Sequence, residues 1–332
     1  MRIIRSRESG VLVAFLLLFI SLAIAKNRTF LSFDNLSNVG TQMTFIAITG
    51  IGVLFVILTS GVDLSLGSTV GLCSFLCAIA VVSTHNPYLG VVLGFVAAIL
   101  AGMVVGAVNG AVVSFINVTP FIVTLGMMGI ARSVIYVLGK TVVANHLVPQ
   151  ERRQASAMPV TDIPEPFVHA LSGSVFGIPV PILVLIVVAV IAHFVLTFTV
   201  FGRRLYAIGG NEEATHLSGI PVHWVKFFSY VVCSAICGIT GTLYVARFNQ
   251  GALEAGRNHE LDAIAAAVIG GTSLMGGSGS VIGVILGACV MSVVSNGLDL
   301  LKIPPEPKVG IIGAVIIIAA IVDVLRSRRG VR

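Results

Sequence analysis

Unbroken apolar runs recur along this chain and set its architecture. PILVLIVVAVIAHFVLTF (181–198) and VGIIGAVIIIAAIVDVL (309–325) are typical. A lipid-spanning barrel strand alternates polar and apolar residues over about 10 positions. These runs do not alternate, and helices are the remaining way to satisfy a backbone in lipid. The pattern predicts an all-α, polytopic membrane protein of about ten transmembrane helices, some broken or re-entrant. The segments fall near 10–25, 40–60, 65–84, 88–115, 120–138, 180–200, 224–246, 261–275, 279–298 and 309–325. Several are short for a full crossing and are separated only by glycine-rich turns. Such breaks are tolerated where protein or a cavity covers the backbone.

One polar stretch interrupts the pattern: YAIGGNEEATHLSGIP, Tyr206–Pro221. It reads as a short aqueous helix with both ends marked. Asn211 is a candidate N-cap, and Glu212 and Glu213 occupy the first turn, where the helix dipole favours negative charge. Gly219 closes the helix and Pro221 forbids its continuation. A helix of about eight residues is unstable alone in water, so it must dock on something. An amphipathic helix lying on a membrane needs a large apolar face and a lysine-rich polar one. Asn211–Ser218 offers Leu217 and little else, which favours a soluble partner.

Composition agrees with the patterning. Of 332 residues, 56% are hydrophobic and 10% charged, against about 25% charged in soluble domains. Arg2, Arg5 and Arg7 precede the first span, and Arg326, Arg328, Arg329 and Arg332 follow the last. Clustered basic ends are what the positive-inside rule expects, and no aromatic-interleaved basic groove for nucleic acid is visible. Ten crossings place both termini and loop 201–223, with Arg203 and Arg204, in the cytoplasm, and loop 139–179 outside. The first apolar stretch is read as a retained anchor, with cleavage after Ala25 as the alternative. Cys73/Cys77 and Cys233/Cys237 are each spaced i, i+4 on a helix face. They are read as small buried hydrophobes, a four-thiolate metal site being the alternative.

Two glycine-rich hairpins stand out, SGVDLSLGSTVG (60–71) and GGTSLMGGSGSVIG (270–283). Gly67-Ser68-x-Val70-Gly71 echoes Gly279-Ser280-x-Ile282-Gly283, as two structural repeats would. Neither hairpin is a phosphate loop, since both lack the Gly-Lys-Ser/Thr ending and a soluble strand–helix frame. They are read as tight turns and close helix packing. Of the ionisable groups within spans, Arg132 is read as a structural anchor, snorkelling to an interface or hydrogen-bonding backbone carbonyls, with a transport role as the alternative, and His193 as a satisfied buried histidine. That leaves no proton or sodium relay of the kind ion-coupled transporters use. Gln42, Thr44, Asn109, Ser114, Asn117, Thr124 and Asn296 punctuate the spans. Such groups suit a path for an uncharged, hydroxyl-rich solute, or hydrogen bonding between helices. No grouping for catalysis is present.

SGVDLSLGS, VTPFIVTLGMMGIARSV, FGRRLYAIGGNEEATHLSGIPV, ELDAIAAAVIGGTSLMGGSGSVIG and NGLDLL closely resemble, in the same order, the permease subunits of bacterial ribose-type ABC importers. These belong to the broader group of monosaccharide and branched-chain amino-acid permeases. The resemblance covers about 30–325. It implies one transmembrane permease domain over 1–332 in the bacterial inner membrane, paired with a second permease chain as a homo- or heterodimer. Two cytoplasmic ATPase domains and a periplasmic sugar-binding protein are the implied partners, with ATP hydrolysis outside this chain. It also implies a ribose-like monosaccharide or related small polyol as solute, moved by alternating access at the dimer interface; the alternatives are a stand-alone secondary sugar transporter and a membrane sensor coupled to a binding protein. Neither a cofactor nor a metal is expected in this chain, and no nucleic-acid partner. The coupling loop to the ATPase aligns with Gly209, Gly210, Asn211, Glu212, Glu213, Ala214, His216, Leu217 and Gly219. Candidate pathway or gate residues are Asn109, Asn117, Asp262, Gly270, Gly271, Gly276, Gly277 and Asn296. On the outer face Glu254, Arg247 and Arg257 are candidates to steer the binding protein.

Overall fold

The computed structural model describes residues 6–147, 156–304 and, past these, residues 307, 308, 310–314, 317 and 321. Arg2, Arg5, much of the predicted span 309–325 and the basic C-terminal residues lie outside the described residues. The chain is helical almost throughout. In order come α1 (Ser6–Ala25), α2 (Asn27–Phe30), α3 (Phe33–Ile57), α4 (Leu66–Val82), α5 (Pro87–Phe115) and α6 (Pro120–Leu138). A π-helical turn follows at Gly139–Leu147, then α7 (Glu165–Ser172), strands β1 (Ser174–Val175) and β2 (Ile178–Pro179), and α8 (Val180–Phe198). The rest is α9 (Val200–Gly210), α10 (Glu212–Leu217), α11 (Val222–Phe248), α12 (His259–Ile269) and α13 (Val281–Leu300).

Helix starts follow from local chemistry. Asn86 accepts hydrogen bonds from the amides of Tyr88 and Leu89, with Pro87 at the first helical position of α5. Ser32, Thr199 and Ser280 cap α3, α9 and α13 through their hydroxyls. Each satisfies an amide that the first helical turn leaves without a partner. Among the described residues, six helices are long and apolar enough to cross a membrane: Phe33–Ile57, Pro87–Phe115, Pro120–Ala144, Val180–Phe198, Val222–Phe248 and Val281–Leu300. Gly10–Ala25 and Leu66–Val82 are shorter apolar helices. The segment expected at 261–275 is broken: α12 ends at Ile269, where two successive glycines begin a turn.

The chain divides into two compact units. In the second (61–184 and 213–260), α4, α5 and α11 form the core. A Cβ added at Gly102 would stand 2.0 Å from the Ser234 carbonyl oxygen, at Gly106 2.4 Å from that of Tyr230, and at Gly238 2.6 Å from that of Ala98. The opposed numbering shows that α5 and α11 run antiparallel with their backbones in contact, the close approach that small residues permit in lipid. Cys73 and Cys77 of α4 and Cys233 and Cys237 of α11 are buried free thiols. Among the described residues no group of three or more histidines, cysteines or acids is placed to hold a metal.

On the rim of the same unit, Arg132 donates from Nη1 to the carbonyls of Leu253 and Ala255 at 2.9 and 3.1 Å. This is the anchoring role expected of it. Beside it Tyr136 donates to one oxygen of Glu254, and Arg257 to the other at 3.0 Å. The tyrosine hydrogen bond, aided by the nearby arginines, holds the Glu254 carboxyl below its usual range.

In the first unit (1–60, 185–212 and 261–332), α3 and α13 are joined by polar contacts spaced along both helices. Asn35 and Asn296 exchange amide hydrogen bonds at 2.8 and 3.2 Å, Gln42 donates to Ser295 at 3.1 Å, and Ser292 donates to the Val39 carbonyl at 2.8 Å. His193 departs from expectation. It lies exposed on α8, its ring edge-on to Phe198 at 6.4 Å. Because α8 is apolar all round, hydropathy alone does not reveal which side of it is covered.

The α5–α11 contact makes a testable claim. Gly102→Ala is expected to lower stability by about 1–3 kcal/mol, since the methyl meets backbone that cannot yield. Gly126→Ala in α6, where nothing lies within 4 Å, is expected to be neutral or to stabilise by up to about 1 kcal/mol. Thermal unfolding of the two variants in detergent reads the difference.

Candidate functional site

The polar stretch forms two helices rather than one. Thr199 starts α9, and Gly202 lets its first turn fold tightly over the end of α8: an added Cβ would stand 2.3 Å from the Leu196 carbonyl. Asn211 is extended and marks the break, its amide still donating to Ala207 at 3.0 Å. Helix α10 then begins at Glu212 and is 6 residues long, shorter than the eight residues expected.

Its end is closed as anticipated. The Gly219 amide donates to the His216 carbonyl at 2.9 Å and the Ile220 amide to that of Thr215 at 3.4 Å. Gly219 itself has φ +78°. These paired bonds, one spanning the other, are a Schellman closure, which needs a left-handed residue at that position. Glu212, Glu213, Ala214 and His216 are exposed, and Leu217 is 80% exposed. The helix therefore offers an acidic first turn and one bare apolar side chain.

The second glycine-rich hairpin is built the same way. The Gly271 amide donates to Val268 and the Thr272 amide to Ala267, both at 2.9 Å. With Gly271 at φ +89°, this closes α12. Gly270 and Gly283 then face each other: a Cβ on either would stand 2.1 or 2.2 Å from the other's carbonyl oxygen. The loop tip is held by Ser273, whose amide donates to the Ser278 carbonyl at 2.8 Å.

Within the first unit these two groups of residues, far apart in sequence, meet. The Gly277 amide donates to the Leu58 carbonyl at the end of α3, at 3.1 Å. Ser60, itself left-handed at φ 61°, donates from Oγ to the Met275 carbonyl at 2.8 Å. Gly209 packs directly on both: its missing Cβ would stand 2.0 Å from the Leu58 oxygen and 2.1 Å from the Gly277 nitrogen. Gly276 and Gly277, at φ +88° and +67°, lie against the backbone of Gly209 and Gly210. Tyr206, one turn earlier on α9, donates to the Gly279 carbonyl at 2.9 Å. The base of the polar stretch, the hairpin tip and the end of α3 thus form one junction of backbone on backbone. Leu58, Ser60 and Tyr206 were not singled out from the sequence. Nothing in their spacing points to the junction, though Ser60 opens one glycine-rich segment and Tyr206 the polar one.

The other expected residues do not join it. Asp262 is half-buried near the start of α12, and Asn296 is engaged with Asn35. In the second unit Asn109 is buried and donates from Nδ2 to Ser65 Oγ at 2.9 Å. Ser65 in turn donates from both its amide and its hydroxyl to Asp63, at 2.8 and 2.6 Å. Asn117 is an exposed turn residue with φ 60° between α5 and α6. The echo between the hairpins falls out of register. Gly67 lies inside the first turn of α4, whereas Gly279 precedes the first turn of α13.

The family model described as the permease component of branched-chain amino acid transport systems matches residues 35–320. The chain belongs to that permease family. It is 37% identical over 317 residues to the ribose import permease protein of Bacillus subtilis (strain 168), covering 94% of this chain and 92% of that one. It is 35% identical over 323 residues to the ribose import permease protein of Haemophilus influenzae, covering 93% and 92%. It is 32% identical over 366 positions to the xylose transport system permease protein of Haemophilus influenzae, covering 96% of each. No solved structure matches. The chain is thus a multi-pass transport permease of the membrane, and its family is not one of enzymes.

Two adjacent glycines separate packing from chance at the junction. Gly209→Ala is expected to weaken it by about 1–3 kcal/mol and to depress solute uptake by the assembled transporter. Gly210→Ala, with nothing within 4 Å, is expected to change uptake by less than about twofold, as exposed substitutions generally do.

Proposed function

We propose that this chain is the transmembrane permease subunit of an ATP-binding cassette importer for a monosaccharide, ribose-like or a related small polyol. A periplasmic binding protein delivers the sugar, and two permease chains open and close a path between them. Both termini and the 201–223 loop lie in the cytoplasm of a bacterial cell, and 139–179 faces outward. The names of the relatives, permeases for ribose and for xylose, support the solute class. The junction at Gly209 is the observation that carries the mechanism.

The physical logic is transmission. Helix α10 is too short to persist without a partner. Its acidic first turn and bare Leu217 suit a groove on a cytoplasmic ATPase that is basic at its rim and apolar at its floor. Movement of that groove displaces α10, and Asn211 passes the displacement to Gly210 and Gly209. There the contact is backbone on backbone, with no side chain to absorb the motion by changing rotamer. The 270–283 hairpin and the end of α3 therefore move with the end of α9. The hairpin leads straight into α12 and α13, the helices proposed to gate the path. Asp262 lies on α12, Asn296 on α13 and Asn109 on α5, and they are proposed to shape the path rather than grip the sugar.

Reconstitution tests the assignment. Vesicles holding this chain with its ATPase and binding protein are expected to accumulate sugar only when ATP is supplied. Uptake driven by a proton gradient without the ATPase contradicts it. A Glu212→Lys/Glu213→Lys variant is expected to insert normally yet lose at least about tenfold in affinity for the ATPase, as reversed charge at a docking surface does. Unchanged complex yield and unchanged uptake in that variant count against α10 as the coupling element.

A further inference from the structure

The loop between α7 and α8 carries apolar side chains that the protein leaves uncovered. Ser174 pairs with Pro179 and Val175 with Ile178 in a minimal antiparallel hairpin. The two turn residues, Phe176 and Gly177, have φ 52° and 79°. This is the mirror-image turn whose twist matches paired strands, and it favours asparagine or glycine at both places. A phenylalanine there holds a left-handed backbone that its own Cβ opposes. Among the described residues its ring has no aromatic partner in return. Phe176 is 101% exposed, with Val175 at 46% and Ile178 at 43% beside it.

The next helix says what surrounds this tip. Helix α8 starts at Val180, directly after the hairpin, and has 19 residues. At 1.5 Å per residue it is about 28 Å long, the thickness of a bilayer's hydrocarbon core. Ile186, Val187, Val190, Ile191 and Phe194 are each more than half exposed along it, as lipid-facing residues are. Past its other end come Arg203 and Arg204, which hold that end at water. The helix therefore needs its full length to cross, and Val180 stands at the opposite hydrocarbon boundary. The hairpin tip is within a few residues of that boundary, and no Asp, Glu, Lys or Arg occurs from 166 to 202.

We propose that the hairpin tip, Val175–Ile178 led by Phe176, inserts into the boundary between lipid headgroups and acyl chains and sets the depth at which α8 enters the bilayer. An aromatic ring at this level is favourable because its apolar body leaves water without a polar group being buried. The uncharged flanks fit lipid better than a soluble protein, whose docking surfaces use charge to guide approach. The inference stands apart from the identity of the transported solute.

Spin labelling of the full-length chain in phosphatidylcholine–phosphatidylglycerol vesicles tests it. A nitroxide at Phe176→Cys is compared with one at Val187→Cys on the exposed face of α8 and one at Ser218→Cys in the polar loop, after subtraction of the unsubstituted protein treated with the same reagent. The ratio of collisions with oxygen to collisions with a nickel chelate is expected to fall between the two references, at least about threefold above Ser218, as for a shallowly inserted group. A label at Val175→Cys is also read with and without Phe176→Asn, a residue the turn accepts more easily. The substitution is expected to raise nickel collisions there about twofold by releasing the tip. Nickel collisions at 176 equal to those at 218 overturn the proposal. So do spin–spin broadening between copies, immobilisation only after a soluble protein is added, and no change at Val175 with Phe176→Asn.

Discussion

Between Gly209 and the backbone of Leu58 and Gly277 there is no room for a single methyl group. A contact between side chains can slip by changing rotamers. A contact between two backbones cannot, because each is held by the hydrogen bonds of its own element. Leu58 is fixed by the end of α3, Gly209 by the last turn of α9, and Gly277 by its own bond to Leu58. Ser60 and Tyr206 pin the same loop from either side. In a permease whose body is mostly apolar, this junction lies within the first unit and ends, in sequence, one residue before Asn211.

Helix α10 and the glycine hairpin use the same device for opposite ends. Gly219 closes α10 and Gly271 closes α12 with the same pair of nested hydrogen bonds. A left-handed glycine at each position ends the helix sharply, so neither element frays into its neighbour. The second unit follows another logic, with α5 and α11 drawn together along their glycine faces and α4 packed on both.

Much of this was legible in the sequence. The span predicted at 120–138 coincides with α6, and Gly219 and Pro221 mark the end of α10 as their chemistry requires. Other features were not legible, for identifiable reasons. The break at Asn211 separates two helices that share one polar composition, so periodicity did not resolve them. Helix α12 was read as long because its apolar run continues into Leu274 and Met275, although Gly270 and Gly271 had already turned the chain. Asn117 was read as punctuating a span, yet its left-handed backbone places it in the turn between α5 and α6. His193 sits in a run with no polar face to orient it. The junction itself was hidden most completely. Glycine announces that some backbone comes near but carries no sign of which one, and Leu58, Gly209 and Gly277 are brought together only by the fold.

The central claim is that the end of α9 and the tip of the 270–283 hairpin move as one body when the motor turns over. Pulsed dipolar distance measurement between nitroxides at Gly210→Cys and Met275→Cys, in the assembled transporter without nucleotide, with ATP held unhydrolysed and with ADP, addresses it directly. The account predicts that this distance stays constant to within about 2 Å across the three states, as for two points on one rigid element, while the distance between the Gly210 labels of the two permease chains changes. A shift or broadening of the Gly210–Met275 distance on ATP binding would contradict it.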